Sequence, residues 1–304
     1  MIYTMTISPS IDYVVWLDHE FESGKLNLMR DNAFFYGGKG VNVSQVLLGL
    51  GVENTALGFV AGFTGDEIEQ GLKRMGCLTD FVKLKEGNSR INIKVKASSE
   101  SEINAQGPHI DDESLSQLFL KLRNIGAEDI LVLAGRVPRE MPENMFARFM
   151  EQLESEDTKV VVDTSGENLV NTLPYHPFLI KPNHDELGAL FNEQFSPFDK
   201  DRIVEAAFLL QEKGARNVMV SLASEGAILV TESGQVINRP APSGVVRNSV
   251  GAGDSMVAGF LAGYMQSRDY EDAFCMGLAA GSATAFMDGL ASGNEIRELY
   301  RFIR

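Results

Sequence analysis

FLIKPNHDEL, residues 178–187, runs from apolar residues straight into a lysine, an amide and two carboxylates. Its apolar part has no polar alternation, so it reads as a short strand buried on both faces, as in a parallel sheet. Three more segments have the same character: DILVLAG (129–135), KVVVDTSG (159–166) and NVMVSL (217–222). Helical periodicity lies between them. Leu115, Leu118, Phe119 and Leu122 follow i, i+3, i+4, i+7 with Gly126 as a stop, and Ile203, Ala206, Ala207 and Leu210 do the same ahead of Gly214. Strands alternating with helices predict an α/β fold whose sheet is covered by helices on both sides.

Two regions break this rhythm. RINIKVKA (90–97) alternates Ile91, Ile93 and Val95 with Asn92, Lys94 and Lys96, and SSES then turns the chain into EINAQG. This is the pattern of a half-exposed hairpin. With IDYVVWL (11–17) and KLNLMR (25–30) it predicts a small antiparallel sheet that projects from the main domain as a lid, built from segments at about 11–36 and 89–107. NVMVSLASEGAILVT turns at Ser224–Gly226 and is expected at the far edge of the main sheet. No internal repeat or low-complexity linker divides the chain, so residues 1–304 are read as one domain carrying the lid.

The formal net charge is −15, from 27 Lys and Arg against 42 Asp and Glu. That balance argues against nucleic acid or an anionic membrane as a partner. A phosphate site must therefore gather its cations locally. Cys77 and Cys275 are the only cysteines and lie far apart, so neither a disulfide framework nor a zinc site is expected. The N-terminal stretch lacks the basic and apolar regions of a leader, and no apolar run is long enough to span a bilayer, so a cytoplasmic location is expected.

Several chemistries are absent from the sequence. There is no GxxxxGK[ST] and no GxSxG, and the four histidines show no metal-ligand spacing. Neither GKGVNV (38–43) nor GAGDSM (251–256) completes a dinucleotide fingerprint, which discounts a nicotinamide-dependent oxidoreductase. Two glycine-rich helix entrances remain. In FFYGGKGVNVSQ, Gly37, Gly38 and Gly40 precede a helix with Val43, Val46, Leu47 and Leu50 on its apolar face. Lys39 and Asn42 there either serve a ligand's oxygens or decorate a tight, solvated turn. In RNSVGAGDSMVAGF (247–260), a helix is expected to begin near Asp254, with amides of Gly251–Asp254 pointing at an anion or with Asp254 as an ordinary cap. In KPNHDEL, Lys181, Asn183 and Glu186 suit phosphate and Mg²⁺, while Asn183 and Glu186 also fit a capping box.

Taken together, GGKGVNVS, KPNHDEL and NSVGAGDSMVAGF, in this order and spacing, resemble the PfkB (ribokinase-like) carbohydrate kinases over nearly the whole chain. SPSIDYVV, SRINIKV and SEINAQGP look more narrowly like the branch that includes 1-phosphofructokinase and tagatose-6-phosphate kinase. The resemblance implies a ribokinase-like three-layer α/β/α domain with a mostly parallel central sheet and a small β-sheet lid. It also implies ATP-dependent, Mg²⁺-assisted phosphorylation of a sugar hydroxyl. Carried onto this chain, it makes Asp254 the base and Gly251, Ala252 and Gly253 the anion hole. Asp12, Gly38, Lys39 and Asn42 would hold the sugar, and Arg90, with Lys25 and Arg136, its existing phosphate. Lys181, Asn183 and Glu186 would serve the ATP phosphates and Mg²⁺, with Ser221, Gly226 and Ser282 near the nucleotide. Ser8 and Ala223 depart from the branch pattern, which commonly has Asn and Gly there. Arg136 stands where a small residue is frequent, and either strengthens phosphate binding or forms a surface ion pair.

The expected reaction is conversion of D-fructose 1-phosphate to D-fructose 1,6-bisphosphate; tagatose-6-phosphate kinase and 6-phosphofructokinase are the alternatives. A sugar-phosphate-binding protein without turnover is a more remote one. Phosphoryl transfer depends mainly on positioning and on donors aimed at the transferring oxygens, which the helix entrances and Lys181 can supply. At a helix N-terminus Asp254 is expected to be a weaker base than usual. A homodimer packed lid to lid is expected from the apolar side of the hairpin.

Overall fold

A computed structural model describes residues 1–304. The main sheet is assembled from β1 (Ile2–Thr6), β4 (Asn54–Ala61), β5 (Leu78–Thr79), β6 (Val82–Leu84), β9 (Ile130–Ala134), β10 (Lys159–Asp163), β11 (Leu179–Ile180), β12 (Asn217–Ser221), β13 (Ala227–Val230) and β14 (Val236–Arg239). Its order is β14-β13-β12-β11-β10-β9-β1-β4-β5, with β6 also on β4, and every pairing from β12 to β6 is parallel. The β12–β13 hairpin and β14 are antiparallel, so β14, and not β13, forms the edge.

The four runs read as buried strands are β9, β10, β11 and β12, and their side chains divide between two cores. Leu131, Leu133, Val160 and Val162 pack on one face with α3 (Asp112–Arg123), α4 (Met145–Met150) and α7 (Lys200–Glu212). Ile130, Val132 and Val161 pack on the other with α1 (Lys39–Gly49), α8 (Ala252–Ser267), α9 (Tyr270–Ala285) and α10 (Gly293–Ile303). A parallel sheet needs cover on both faces, which is why these strands lack alternation. Every residue from Asp254 to Tyr264 of α8 is buried, the mark of a helix enclosed on all sides. Full burial of one such Leu or Val contributes about 1.5–3 kcal/mol. The remaining helices are α2 (Gly62–Arg74), α5 (Glu167–Val170) and α6 (His184–Leu190).

A second sheet has the order β3-β2-β7-β8, from β2 (Ser10–Trp16), β3 (Asp31–Gly37), β7 (Arg90–Lys96) and β8 (Glu100–Ile103). It is mixed, not antiparallel throughout, because β2 and β7 enter from adjacent places in the main sheet and run parallel. KLNLMR is not a strand. Leu26, Leu28 and Met29 are exposed in the loop between β2 and β3, and the strand that pairs with β2 is DNAFFYG.

Candidate active site

From β1 the chain moves outward to β4, β5 and β6, then returns to β9 on the other side of β1. The strand order reverses there, and open α/β sheets bind ligands outside such a reversal, at the carboxyl ends of the strands. Ile7 and Ser8 beyond β1 and Gly135 and Arg136 beyond β9 line a cleft of about 1220 Å³ at this point.

Two helix entrances meet in it. Gly38, the N-cap of α1, has φ of 112°, and a Cβ there would lie 2.5 Å from Thr6 Cγ2, so the GGKG turn lies flat against β1. Gly251 caps α8 with φ of 81°. Helix α8 therefore begins at Ala252, two residues before the sequence expectation, and no side chain caps it. Gly251, Ala252, Gly253 and Asp254 all line the cleft, an arrangement suited to anionic oxygens.

Asp254 is not a cap. It sits in the first turn, and its Oδ2 accepts a hydrogen bond from Asn42 Nδ2 at 2.8 Å. Burial, followed by the negative charge of Asp163, pushes its carboxyl up to about 6, against the pull of Lys39, Asn42 and Lys181. The expected weakening by the helix dipole is thus overturned, because loss of solvent and a second carboxylate outweigh the dipole.

Beneath the cleft, the buried Asp163 ends β10. Lys39 Nζ donates to its Oδ1 at 3.0 Å, and Lys181 Nζ lies 3.5 Å from Oδ2. Burial alone would raise the Asp163 carboxyl, but Lys181 and Lys39 hold it below its usual range. Burial likewise opposes the charge on Lys39, yet Asp163 and Asp254 hold that amine above its usual value. Lys181 also lies so close to α8 that a Cβ on Gly253 would be 2.9 Å from its Nζ.

Asn183 and Glu186 form the capping box of α6: Asn183 Oδ1 accepts from the Glu186 amide at 2.7 Å, and Glu186 Oε2 accepts from the Asn183 amide at 2.9 Å. Both residues still line the cleft, so capping and ligand contact are compatible. No cluster of three or more His, Cys, Asp or Glu side chains is able to hold a metal. The donors present fit a Mg²⁺ carried by nucleotide phosphates and water, with the second oxygen of Glu186 outside the capping box as the protein's contribution. A bridge between Asn183 and Ser221 continues the β11–β12 pairing, and Ser221, Gly226 and Ser282 line the cleft with Leu278 and Phe286.

The small sheet turns its polar side to the cleft. Asp12 Oδ1 accepts from Ser10 Oγ at 2.8 Å and from Asn92 Nδ2 at 2.9 Å, and Oδ2 pairs with Lys94 Nζ at 3.2 Å. Next to them, Arg90 Nε and Ser8 Oγ are buried without any hydrogen-bond partner, although both residues line the cleft. Burial lowers the Arg90 pKa, with Asp12 working against that effect. Buried polar atoms seldom lack partners, and a cation and a hydroxyl left free together suit an anionic ligand.

Of the residues that the family resemblance assigns to the site, only Lys25 falls outside the cleft. It lies exposed in the β2–β3 loop and pairs with Glu22. Arg136 lines the cleft, exposed and without an ion pair to an acid. Asp163, Asn92 and Lys94 escaped the sequence reading. For Asp163 the signal was a carboxylate ending a doubly buried strand; for Asn92 and Lys94 it was the polar half of an alternating strand, the half that also carries Arg90.

The model of the pfkB family of carbohydrate kinases matches residues 5–297. The chain belongs to this family. As a pfkB kinase it is a phosphotransferase with an alcohol acceptor, and it uses ATP. It is 41% identical over 299 residues to the 1-phosphofructokinase of Bacillus subtilis, covering 98% of this chain and 97% of that one. It is 36% identical over 296 residues to the D-tagatose-1-phosphate kinase of Bacillus licheniformis, covering 97% and 96%. The phosphofructokinase-2 of Escherichia coli, solved with substrates and products, superposes on this pfkB kinase with a TM-score of 0.92 at 28% identity over 99% of both chains. That protein has also been solved in a tetrameric inhibited form.

Proposed function

We propose that this kinase transfers the γ-phosphoryl group of ATP to the 6-hydroxyl of D-fructose 1-phosphate, giving D-fructose 1,6-bisphosphate. Phosphorylation of a fructose phosphate is the activity carried by its relatives' names. The observation that carries the finer reading is the pairing of unpartnered Arg90 Nε with unpartnered Ser8 Oγ at the cleft, joined there by the unpaired Arg136. A free sugar has nothing to neutralise these cations, whereas a phosphate already on the substrate does.

In this reading Asp12, Gly38, Lys39 and Asn42 hold the sugar, and Asp254 takes the proton as the hydroxyl oxygen bonds to phosphorus. The bond from phosphorus to the leaving oxygen of ADP breaks in the same displacement. The amides of Gly251, Ala252 and Gly253, with Lys181, stabilise the charge on the transferring group. Ser221, Gly226 and Ser282 contact the nucleotide. Mg²⁺, held by the ATP phosphates, water and Glu186, with Asn183 beside it, would neutralise phosphate charge when bound. The small sheet serves as a lid over the acceptor, so residues 1–304 act as one kinase domain with an inserted cover.

The outer face of that sheet carries Tyr13 stacked on Phe34 at 4.5 Å, with Ile91 and Ile103 exposed beside them. This supports a homodimer packed through the lids. No helix is long and apolar enough to cross a membrane.

D-Tagatose 1-phosphate is the second reading, supported by the 36% identical relative. Tagatose 6-phosphate and fructose 6-phosphate carry the phosphate at the other end of the sugar, and turnover confined to either would support the corresponding alternative. Incubation with ATP, Mg²⁺ and each sugar phosphate, followed by ³¹P NMR of the product, tests the proposal. Fructose 1,6-bisphosphate is expected from fructose 1-phosphate. Binding without product would instead favour a sensor.

A further inference from the structure

We propose that Asp163 is a positioning residue that fixes Lys39 and Lys181 from below the cleft and so ties the acceptor end of the site to the donor end. Lys39 leaves the entrance of α1, where the sugar is placed; Lys181 follows β11 and lies against Gly253 at the entrance of α8, where the transferring phosphate is placed. Both amines converge on one carboxylate, at 3.0 Å from Oδ1 and 3.5 Å from Oδ2. The assignment of the two ends rests on the proposed kinase reading.

Asp163 itself does not line the cleft, so it does not touch substrate. Nor is stability an adequate reason for its presence. An ion triad in which Asp163 and Lys181 are buried contributes little, because desolvation offsets most of the attraction. What it does supply is geometry. Without the carboxylate the two ammonium groups repel each other, and Lys181, whose amine sits at the tightest approach to α8, has no other acid partner. Lys181 would then leave the transferring phosphate, and Lys39 the sugar. Displacement of a catalytic group by about 1 Å is enough to cost ~100-fold in rate.

The same carboxylate acts on Asp254 at a distance. The groups facing Asp254 are Lys39 and Asn42 from α1, Asp163 from β10 and Lys181 beyond β11, and among them only Asp163 is negative. Its loss removes the one charge that raises Asp254, and withdrawal of Lys39 and Lys181 removes two that lower it, so displacement of the lysines shows in the titration of Asp254 only where the carboxylate charge is kept.

Asp163→Asn, nearly isosteric, is the test, with a thermal melt to show that it folds. Wild type is first assayed with ATP on each ketohexose phosphate, and the variant is compared on the best substrate. The expected result is a kcat lower by roughly 10–100-fold together with a raised KM for ATP, since Lys181 stands at the donor end; absence of either change in the folded variant overturns the proposal. Failure of the kinase reading shows separately, as a wild type without turnover. ATP titration by calorimetry then still reads the donor end: affinity about tenfold weaker is expected from loss of the Lys181 placement, and unchanged affinity overturns it. If Asp163→Asn does not fold, Asp163→Glu keeps the charge and displaces the lysines. It should lose kcat and move its acid limb to higher pH, because the withdrawn lysines no longer lower Asp254, and a kcat within about threefold of wild type contradicts the role.

Discussion

Asn42 donates its side-chain amide to Asp254 Oδ2 at 2.8 Å, joining the entrances of α1 and α8 across 212 residues of chain. The bond occupies one carboxylate oxygen and leaves Oδ1 without a hydrogen bond, in a residue that lines the cleft. It also favours the ionised carboxylate. Asn42→Ala should therefore lower kcat by about tenfold and move the acid limb of the pH profile upward, because a force holding the carboxyl down is removed. An acid limb that moves down, or not at all, contradicts this.

Removal of the carboxylate itself should be more severe. Asp254→Ala is expected to lose about 10²–10⁴ in kcat, with ATP affinity by calorimetry within a few-fold of wild type. In wild type, turnover should rise as pH increases through about 6, where Asp254 gives up its proton. A flat profile between pH 5 and 7 would remove Asp254 as the titrating base.

The same environment predicts a cost in stability. The Asp254 carboxyl titrates at about 6 in the folded chain against 3.8 as its ordinary value. Since the folded pKa is raised, protonation favours folding: the penalty is absent below the unfolded value, grows as pH rises and is complete above about 6. The gap corresponds to at most roughly 3 kcal/mol. Asp254→Asn should accordingly melt a few degrees above wild type at pH 8, with the difference fading toward pH 4. Equal melting temperatures at pH 8 would mean that burial does not burden this carboxylate.

Phe34 stacks on Tyr13 on the outer face of the small sheet and is 64% exposed. Phe34→Glu places a charge on that face, so sedimentation should show dimers in wild type and monomers in the variant. A wild-type monomer at assay concentrations overturns the lid-to-lid arrangement.

The main sheet was legible because its strands are buried on both faces, which leaves continuous apolar runs such as ILVLA in β9 and KVVVD in β10. The small sheet was legible only in part. KLNLMR alternates like a strand, yet its leucines are exposed in a loop, while β3 carries Phe34 and Phe35 side by side and hides its period. In β7, alternation tells which residues share a face but not which face is covered. Here the covered face is a polar site, with Asn92 and Lys94 bound to Asp12. Asp163 was invisible for another reason: Lys39 lies 124 residues before it, and no local pattern records that contact. The Asp254 environment combines α1, β10 and the turn after β11, so its raised pKa exists only in the assembled fold.

Whether this site takes a ketohexose already carrying a phosphate is decided by kcat/KM for fructose 1-phosphate against free fructose, in wild type and in Arg90→Ala. Wild type should prefer fructose 1-phosphate by about 100-fold or more, and the variant should lose roughly 10–100-fold toward that substrate, as for a charge-assisted contact. The KM for ATP should remain unchanged. Equal or better turnover of free fructose, or an Arg90→Ala enzyme with unaltered kcat/KM for fructose 1-phosphate, would contradict it.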